Sequence, residues 1–330
     1  MIRKLPRIVA AIFALAFGAI ATILIAAHWQ IRQVEPPLPT AQAIELALAE
    51  EDAAAAISYI NTATQSGPFG TLGHVGVLIE WRDGSAAFLI DTGMPPAQAI
   101  AFGAPLEQLL DAGPTRTFGA IDMQMGEAVQ SIGAIAFTHL HSDHTDGVGG
   151  ICAAQATPAT VFQTDLQRHL QNFGTRPGEA NIAGAACARA LLGTDLVKPI
   201  GGFPGVVAIA AGGHTPGSTL YATRFNGKIW IFAGDITNDM QSLHDNVDKP
   251  WAYTTFVVPE NLSRQAELRL WLESLDQLEN FEVLVAHDIG AWQRSEIPVW
   301  QATGASVPRH SPGRSYQVVF TLAVGALTLD

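Results

Sequence analysis

The stretch Thr138-His139-Leu140-His141-Ser142-Asp143-His144-Thr145-Asp146-Gly147 constrains this chain more than any other. It follows an apolar run over 132–137, so it begins where a buried strand ends. Side chains alternate along extended backbone, which sets His139 and His141 on one side before the chain turns and offers Asp143 and His144. Two imidazoles beside a carboxylate and a third imidazole suit borderline divalent metals. Three further apolar runs end in the same manner. Residues 206–210 lead to His214, 229–232 to Asp235, and 283–286 to His287 and Asp288. Open α/β sheets place their sites just beyond such strand ends.

The rest of the pattern agrees with an α/β layered domain. β-like runs over 75–81 and 86–90 flank Arg82-Asp83-Gly84-Ser85, and those over 219–225 and 229–232 flank Asn226-Gly227, two hairpin signals. Helical patterns fall at 164–172 and 261–279, the latter with Leu268, Trp271, Leu272, Leu275 and Leu278 on one face. The Ala-rich segment 41–60 also reads as helix-prone. Strands interleaved with helices predict a layered α/β architecture.

Ahead of this lies an uncharged run of 20 residues, 8–27, long enough as a helix to span about 30 Å of hydrocarbon. Arg3, Lys4 and Arg7 precede it, which keeps the N-terminus cytoplasmic and sends the remainder across the membrane. Ala19-Ile20-Ala21 has the form of a cleavage site, so a secreted chain is the alternative to a single-pass anchor. The run continues past it to Ala27, with His28 and Trp29 placed as interfacial anchors. The chain thus divides into an anchor or signal segment (1–30), a Pro-rich linker (31–39) and a hydrolase-sized domain (40–330), with the domain periplasmic or extracellular. Over 38–330 there are 14 Lys and Arg against 29 Asp and Glu, a net of −15. A nucleic-acid partner is disfavoured, because phosphate neutralisation needs a basic surplus. The two cysteines, Cys152 and Cys187, are too few for a disulfide scaffold, and pairing or two buried thiols both remain open.

The strand-end Asp91 in Leu89-Ile90-Asp91-Thr92-Gly93, the His-x-His-x-Asp-His run, His214, Asp235 and His287 together resemble the motif series of the metallo-β-lactamase superfamily, in the same order and over most of the domain. The resemblance implies a four-layer αββα sandwich and two divalent metal ions, zinc foremost, with manganese or iron sharing these ligands. His139, His141 and His214 would hold one metal, Asp143, His144 and His287 the second, and Asp235 would bridge both. Asp91 resembles the family's buried carboxylate that orients ligating imidazoles, with Thr138 and Asp288 as weaker candidates for that role. Asp143 and Asp235, the ligand carboxylates, also stand at the reaction, because proton delivery to the leaving group must use a metal-held water or one of them. His74 reads as a satisfied strand residue, His169 and His310 as solvated, and His244 as lying away from the pocket.

The full ligand set favours hydrolysis of a small-molecule ester, lactone or related acyl compound. Phosphodiester, organophosphate and thioester hydrolysis are the alternatives, and a non-catalytic anchored metal-binding domain is the competing class. True β-lactamases of the superfamily generally carry Cys or Ser where this chain has Asp235. Acyl-homoserine lactonases commonly place Tyr three residues after the bridging Asp, where this chain has Asn238. Glutathione thioesterases need a basic C-terminal part, whereas the tail here holds only Arg294, Arg309 and Arg314 and reads as strand-rich over 317–324. The long stretch 238–259 is expected as a lid or binding loop, with Asn238, Trp251 and Tyr253 lining the substrate pocket. No Gly-x-Ser-x-Gly elbow occurs and neither cysteine has an activating neighbour, so no side-chain nucleophile is expected.

Overall fold

The computed structural model describes residues 5–48, 54–67, 70–193 and 197–301, with side chains from Val9 onward. Arg309, His310, Arg314 and the run 317–324 lie outside the described residues.

Among the described residues twelve strands form two sheets. The first contains β1 (Ala54–Gly67), β2 (Gly70–Trp81), β3 (Ala87–Ile90), β4 (Arg116–Thr117), β5 (Ile132–Ala136), β6 (Thr160–Thr164) and β7 (Ala188–Leu192), in the order β4-β1-β2-β3-β5-β6-β7. The second contains β8 (Val197–Pro199), β9 (Val206–Ala210), β10 (Thr219–Phe225), β11 (Lys228–Phe232) and β12 (Phe281–Leu284), in the order β12-β11-β10-β9-β8. Both expected hairpins form, with β2 and β3 antiparallel and β10 and β11 antiparallel. Asn226 and Gly227 both take positive φ at the β10–β11 turn, as the tight hairpin turn requires.

Alternation along each strand explains the layers. Val75, Val77, Ile79, Phe88 and Ile90 of the first sheet face Ala208, Tyr221, Trp230 and Phe232 of the second in one buried core. The opposite faces are covered by helices. Ile121, Val148, Ile151 and Ile182 close over Leu78, Leu89, Ile135 and Val161, and Leu268, Leu272 and Leu275 close over Ile209, Leu220 and Ile231. The result is the helix–sheet–sheet–helix sandwich expected from the motif series. Cys152 and Cys187 form a disulfide on the first helical layer, with Cα atoms 5.3 Å apart.

Segment 41–60 differs from its helix-prone reading. A helix covers only Ala41–Ala47, and 54–60 is the start of β1. Helix propensity is a weak local preference, and β1 pairs with β2 over nearly its whole length. Ile57 and Tyr59 point into the inter-sheet core while Ile60 points to the helical layer. The tertiary pairing overrides the alanines.

An apolar helix, Leu5–Ile31, precedes the sandwich. Its span Val9–Ile31 covers 23 residues with a mean hydropathy of 2.6, and it is exposed along most of its length, with only Ala27 and Ile31 buried at the end that meets the sandwich. At 1.5 Å per residue that is roughly 34 Å, enough to cross a bilayer. Residues 35–39 then lie along helix Leu262–Asp276. Glu35 accepts a hydrogen bond from Asn261, Pro36 carbonyl from Arg264 and Pro39 carbonyl from Trp271.

Candidate metal centre

All seven expected ligands converge, because the strands that precede them end at one edge of the sandwich. β5 delivers His139 and His141, and a short helix over Ser142–Thr145 turns Asp143 and His144 inward. β9, β11 and β12 deliver His214, Asp235 and His287 from the second sheet. Gly234 precedes Asp235 at φ +60°, and a Cβ there would stand 2.8 Å from that of Thr138, so the turn that aims Asp235 needs glycine.

Two groups result, His139 with His141 and His214, and Asp143 with His144, Asp235 and His287. In the first, His139 Nε2, His141 Nδ1 and His214 Nε2 lie 3.0–3.2 Å from one another. Ligand nitrogens about 2.0–2.1 Å from one tetrahedral ion stand roughly 3.3 Å apart, so this spacing fits a shared cation. In the second, His287 Nε2 is 3.0 Å from Asp235 Oδ2 and 3.3 Å from Asp143 Oδ2. Asp235 reaches both groups: Oδ1 is 3.3 Å from His144 Nε2, and Oδ2 is 3.6 Å from His214 Nε2 and 3.8 Å from His139 Nε2. His144 Nε2 and Asp235 Oδ1 are buried without a hydrogen-bond partner. Buried polar atoms normally find one, and a cation between them supplies what is missing. The residues present fit two divalent ions.

The protonation pattern has two characters. Burial, with neighbouring imidazoles acting in the same direction, holds His139 well below the usual histidine range and His141 at about 3. His214 is also lowered, by burial and by the charge of Lys249. These three present neutral lone pairs, the form that binds metal. In the second group burial opposes the charged histidines, but carboxylates outweigh it. Asp91, Asp143 and Asp235 raise His144 well above its ordinary value, and Asp235 and Asp143 raise His287 to about 10. Burial likewise opposes ionised Asp143 and Asp235, yet the histidines hold both well below the carboxylate range.

The imidazoles of His139, His144 and His287 are oriented from behind. Asp91 accepts from Thr138 N at 2.8 Å, Thr138 Oγ1 at 2.8 Å and His144 Nδ1 at 2.9 Å. It does so from φ +60°, an uncommon backbone state for a non-glycine residue and one that clusters at functional sites. Thr138 Oγ1 also lies 3.2 Å from His139 Nδ1. His287 Nδ1 donates to Gly73 carbonyl at 2.7 Å. Asp288, by contrast, caps helix Ile289–Arg294 through Ala291 N and accepts from Met240 N. It touches no ligand.

Sequence reasoning missed the brace behind His214. Buried Glu260 accepts from His214 Nδ1 at 2.6 Å, and buried Lys249 donates to Glu260 at 2.9 Å and to the Asp235 carbonyl at 2.9 Å. A lysine among the aromatics of 238–259, in a chain with only four lysines, was the one available signal. His74 was also misjudged. Its ring forms part of the site wall, Nδ1 3.5 Å from Asp143 Oδ2 and without a hydrogen bond. His169 is solvated, and His244 pairs with Glu273 and lies 3.8 Å from Asp276, away from the centre.

The stretch 238–259 is not one open loop. It folds into a helix, Met240–His244, and a π-turn, Tyr253–Val257. Asn238 is half-buried. Tyr253 is partly buried, and burial, followed by the charges of Asp235, Glu260 and Asp143, pushes its phenol well above the ordinary range. Trp251 is largely exposed, at 67%.

A four-layer sandwich with seven His and Asp ligands at one edge defines a dinuclear metal-binding class. The metallo-β-lactamase superfamily model matches residues 70–295, and the chain belongs to that superfamily. No curated protein matches it by sequence search. Among solved structures it is similar to a quorum-quenching N-acyl homoserine lactone lactonase (16% identity, 75% of this chain and 98% of that one, TM-score 0.55). It is also similar to an N-acyl homoserine lactone hydrolase with N-hexanoyl-L-homoserine at its catalytic metal centre (15%, 74% and 97%, TM-score 0.54). A third is a B. thuringiensis AiiA variant with N-decanoyl-L-homoserine at its active site (14%, 74% and 97%, TM-score 0.54). At such identities the likeness establishes the fold.

Proposed function

We propose that this chain is a membrane-anchored metal-dependent hydrolase of an ester or lactone, with its catalytic domain outside the cytoplasm. The observation that carries the reading is the sharing of Asp235 between two ligand groups. His139, His141 and His214 would hold one ion, Asp143, His144 and His287 the other, with zinc as the resident metal. The chemistry supplied there when the ions are bound is Lewis acidity toward the scissile carbonyl and a water pKa lowered toward about 7.

The protein's own part is to orient and to hold protons. Glu260, Asp91 and Gly73 carbonyl take the Nδ1 protons of His214, His144 and His287, so that Nε2 of each faces inward. Asp143 and Asp235 carry the carboxylates nearest the reacting atoms, and either can receive a proton and pass it to the leaving group. Tyr253, which keeps its phenol proton, and the half-buried Asn238 are the neutral side-chain donors that we assign to the substrate oxygen. The cavity that Trp251 lines beside Glu260 leaves room for an apolar portion of the substrate.

The anchored topology is supported by Arg3, Lys4 and Arg7 ahead of the exposed apolar helix. Protease added to spheroplasts should degrade the domain, and full protection would reverse the orientation. The substrate class is tested with the metal-analysed full chain against lactones, aryl esters, thioesters and phosphotriesters. Turnover of the phosphotriester alone would replace the ester reading. Metal without any turnover would favour a binding domain.

A further inference from the structure

Two segments that border the metal centre also touch the end of the N-terminal helix. His28 Nε2 lies 3.1 Å from Thr255 carbonyl, and Gln30 Nε2 donates to Gln171 carbonyl at 3.2 Å. From there each segment reaches the centre within a few residues. On one side Lys249, two residues before Trp251, donates to the Asp235 carbonyl at 2.9 Å, and on the other Gly174 faces the ring of His141, where an added Cβ would stand 3.1 Å from Nε2.

The outer side of the same region is apolar. Trp251, Phe256 and Val257 are 67%, 55% and 58% exposed, and Trp251 packs edge-on against Phe256 at 5.5 Å. Trp29, on the last turn of the apolar helix, is 66% exposed. A soluble surface rarely shows so much contiguous apolar area without a partner. Here the partner is indicated by continuity, since the patch begins where the membrane-length helix ends, at the level where Trp anchors sit among lipid headgroups. Between the helix end and this segment lies a cavity of about 400 Å³, lined by His28, Arg32, Trp251, Thr255 and Asn261. Glu260, which holds His214, stands in its wall.

We propose that Trp29, Trp251, Phe256 and Val257 seat the domain in the headgroup layer, and that its substrate is a membrane-partitioned, long-chain ester or lactone entering from the bilayer between segments 171–174 and 251–257. This rests on the reading of the chain as an anchored hydrolase. The polar ester reaches the centre while the acyl chain stays in lipid, so the substrate need not leave the membrane fully. The exposed apolar lip thereby has a function that a site for water-soluble substrates does not need.

The test uses the full chain in phosphatidylcholine–phosphatidylglycerol vesicles, as the parent and as the F256S/V257S variant, two exposed side chains whose loss leaves the sandwich intact. With 4-nitrophenyl butyrate in solution the two should agree within about twofold, whereas 4-nitrophenyl palmitate held in the vesicles should turn over about tenfold more slowly in the variant. Equal rates on palmitate would overturn the membrane route and leave the hydrolase reading standing. Turnover by the parent of neither ester and of no lactone would defeat the hydrolase reading itself. A separate readout is independent of activity. Because Cys152 and Cys187 are paired, Phe256→Cys adds a single reactive thiol to the described residues. A polarity-sensitive dye there should report lipid, and the same dye on Arg82→Cys, in the hairpin at the far end of β3 from Asp91, should report water. An aqueous signal at both positions would overturn the seating.

Discussion

The two ligand groups differ in what balances a bound cation. His139, His141 and His214 form a neutral set, held so by burial and mutual repulsion. Asp143, His144, Asp235 and His287 form a charged set, in which carboxylates and imidazoles stabilise each other's ionised forms. A cation at the first group displaces no proton from its imidazoles but gains little anionic charge. At the second it must displace protons that the carboxylates favour, and it gains two negative charges. Asp235 joins them. The lesson is that one centre can combine a site made by lone pairs with one made by charge, provided that a shared carboxylate ties them.

The sharpest way to break this comparison is to remove the shared group. Asp235→Ala should leave fewer than two metal equivalents per chain and take ester turnover below detection, as read by elemental analysis and a hydrolysis assay. Two retained equivalents would show that the groups do not depend on Asp235. Next in size is the brace of the charged set. Asp91→Asn keeps the side-chain shape and tolerates φ +60°, but loses the acceptor for His144 Nδ1, and metal affinity should fall by about 10–100-fold.

The brace of the neutral set sharpens the contrast further. Glu260→Gln removes the charge behind His214 and leaves buried Lys249 unpaired, so metal affinity and folding stability should both decline, affinity by about tenfold. Adding Lys249→Met should restore part of the stability without restoring the affinity, which chemical denaturation and metal titration separate. Additive losses of stability would mean that Lys249 and Glu260 are not coupled. The smallest effect belongs to Asp288→Ala. This residue follows a ligand in sequence but caps a helix, so the loss should be about 1 kcal/mol of stability with metal content unchanged.

Those expectations follow how far each residue was legible. The seven candidate ligands could be read because each lies on or just past the segment that leaves an apolar run, and strand ends are local features of a sequence. Asp91 could be read for the same reason, as β3 lies parallel to β5 and ends beside it. Glu260 and Lys249 follow no strand and share no periodicity. They meet behind His214 because 238–259 folds into a helix and a π-turn that return the chain to the site. His74 was hidden by its position within β2, where a buried histidine looks like any other inward residue until the sheets are closed.

The amino-acid sequence alone determined the layered class, the apolar N-terminal run and the candidate ligand set, because burial periodicity and residue spacing act over a few residues. Only the tertiary structure decided that residues 54–60 extend into β1, that Cys152 meets Cys187, and that Lys249 and Glu260 stand behind the centre. The physical reason is the same in each case. Pairing with β2 outweighs the local preference of alanine for helix, and a disulfide or buried ion pair depends on the approach of distant segments, which no local preference encodes.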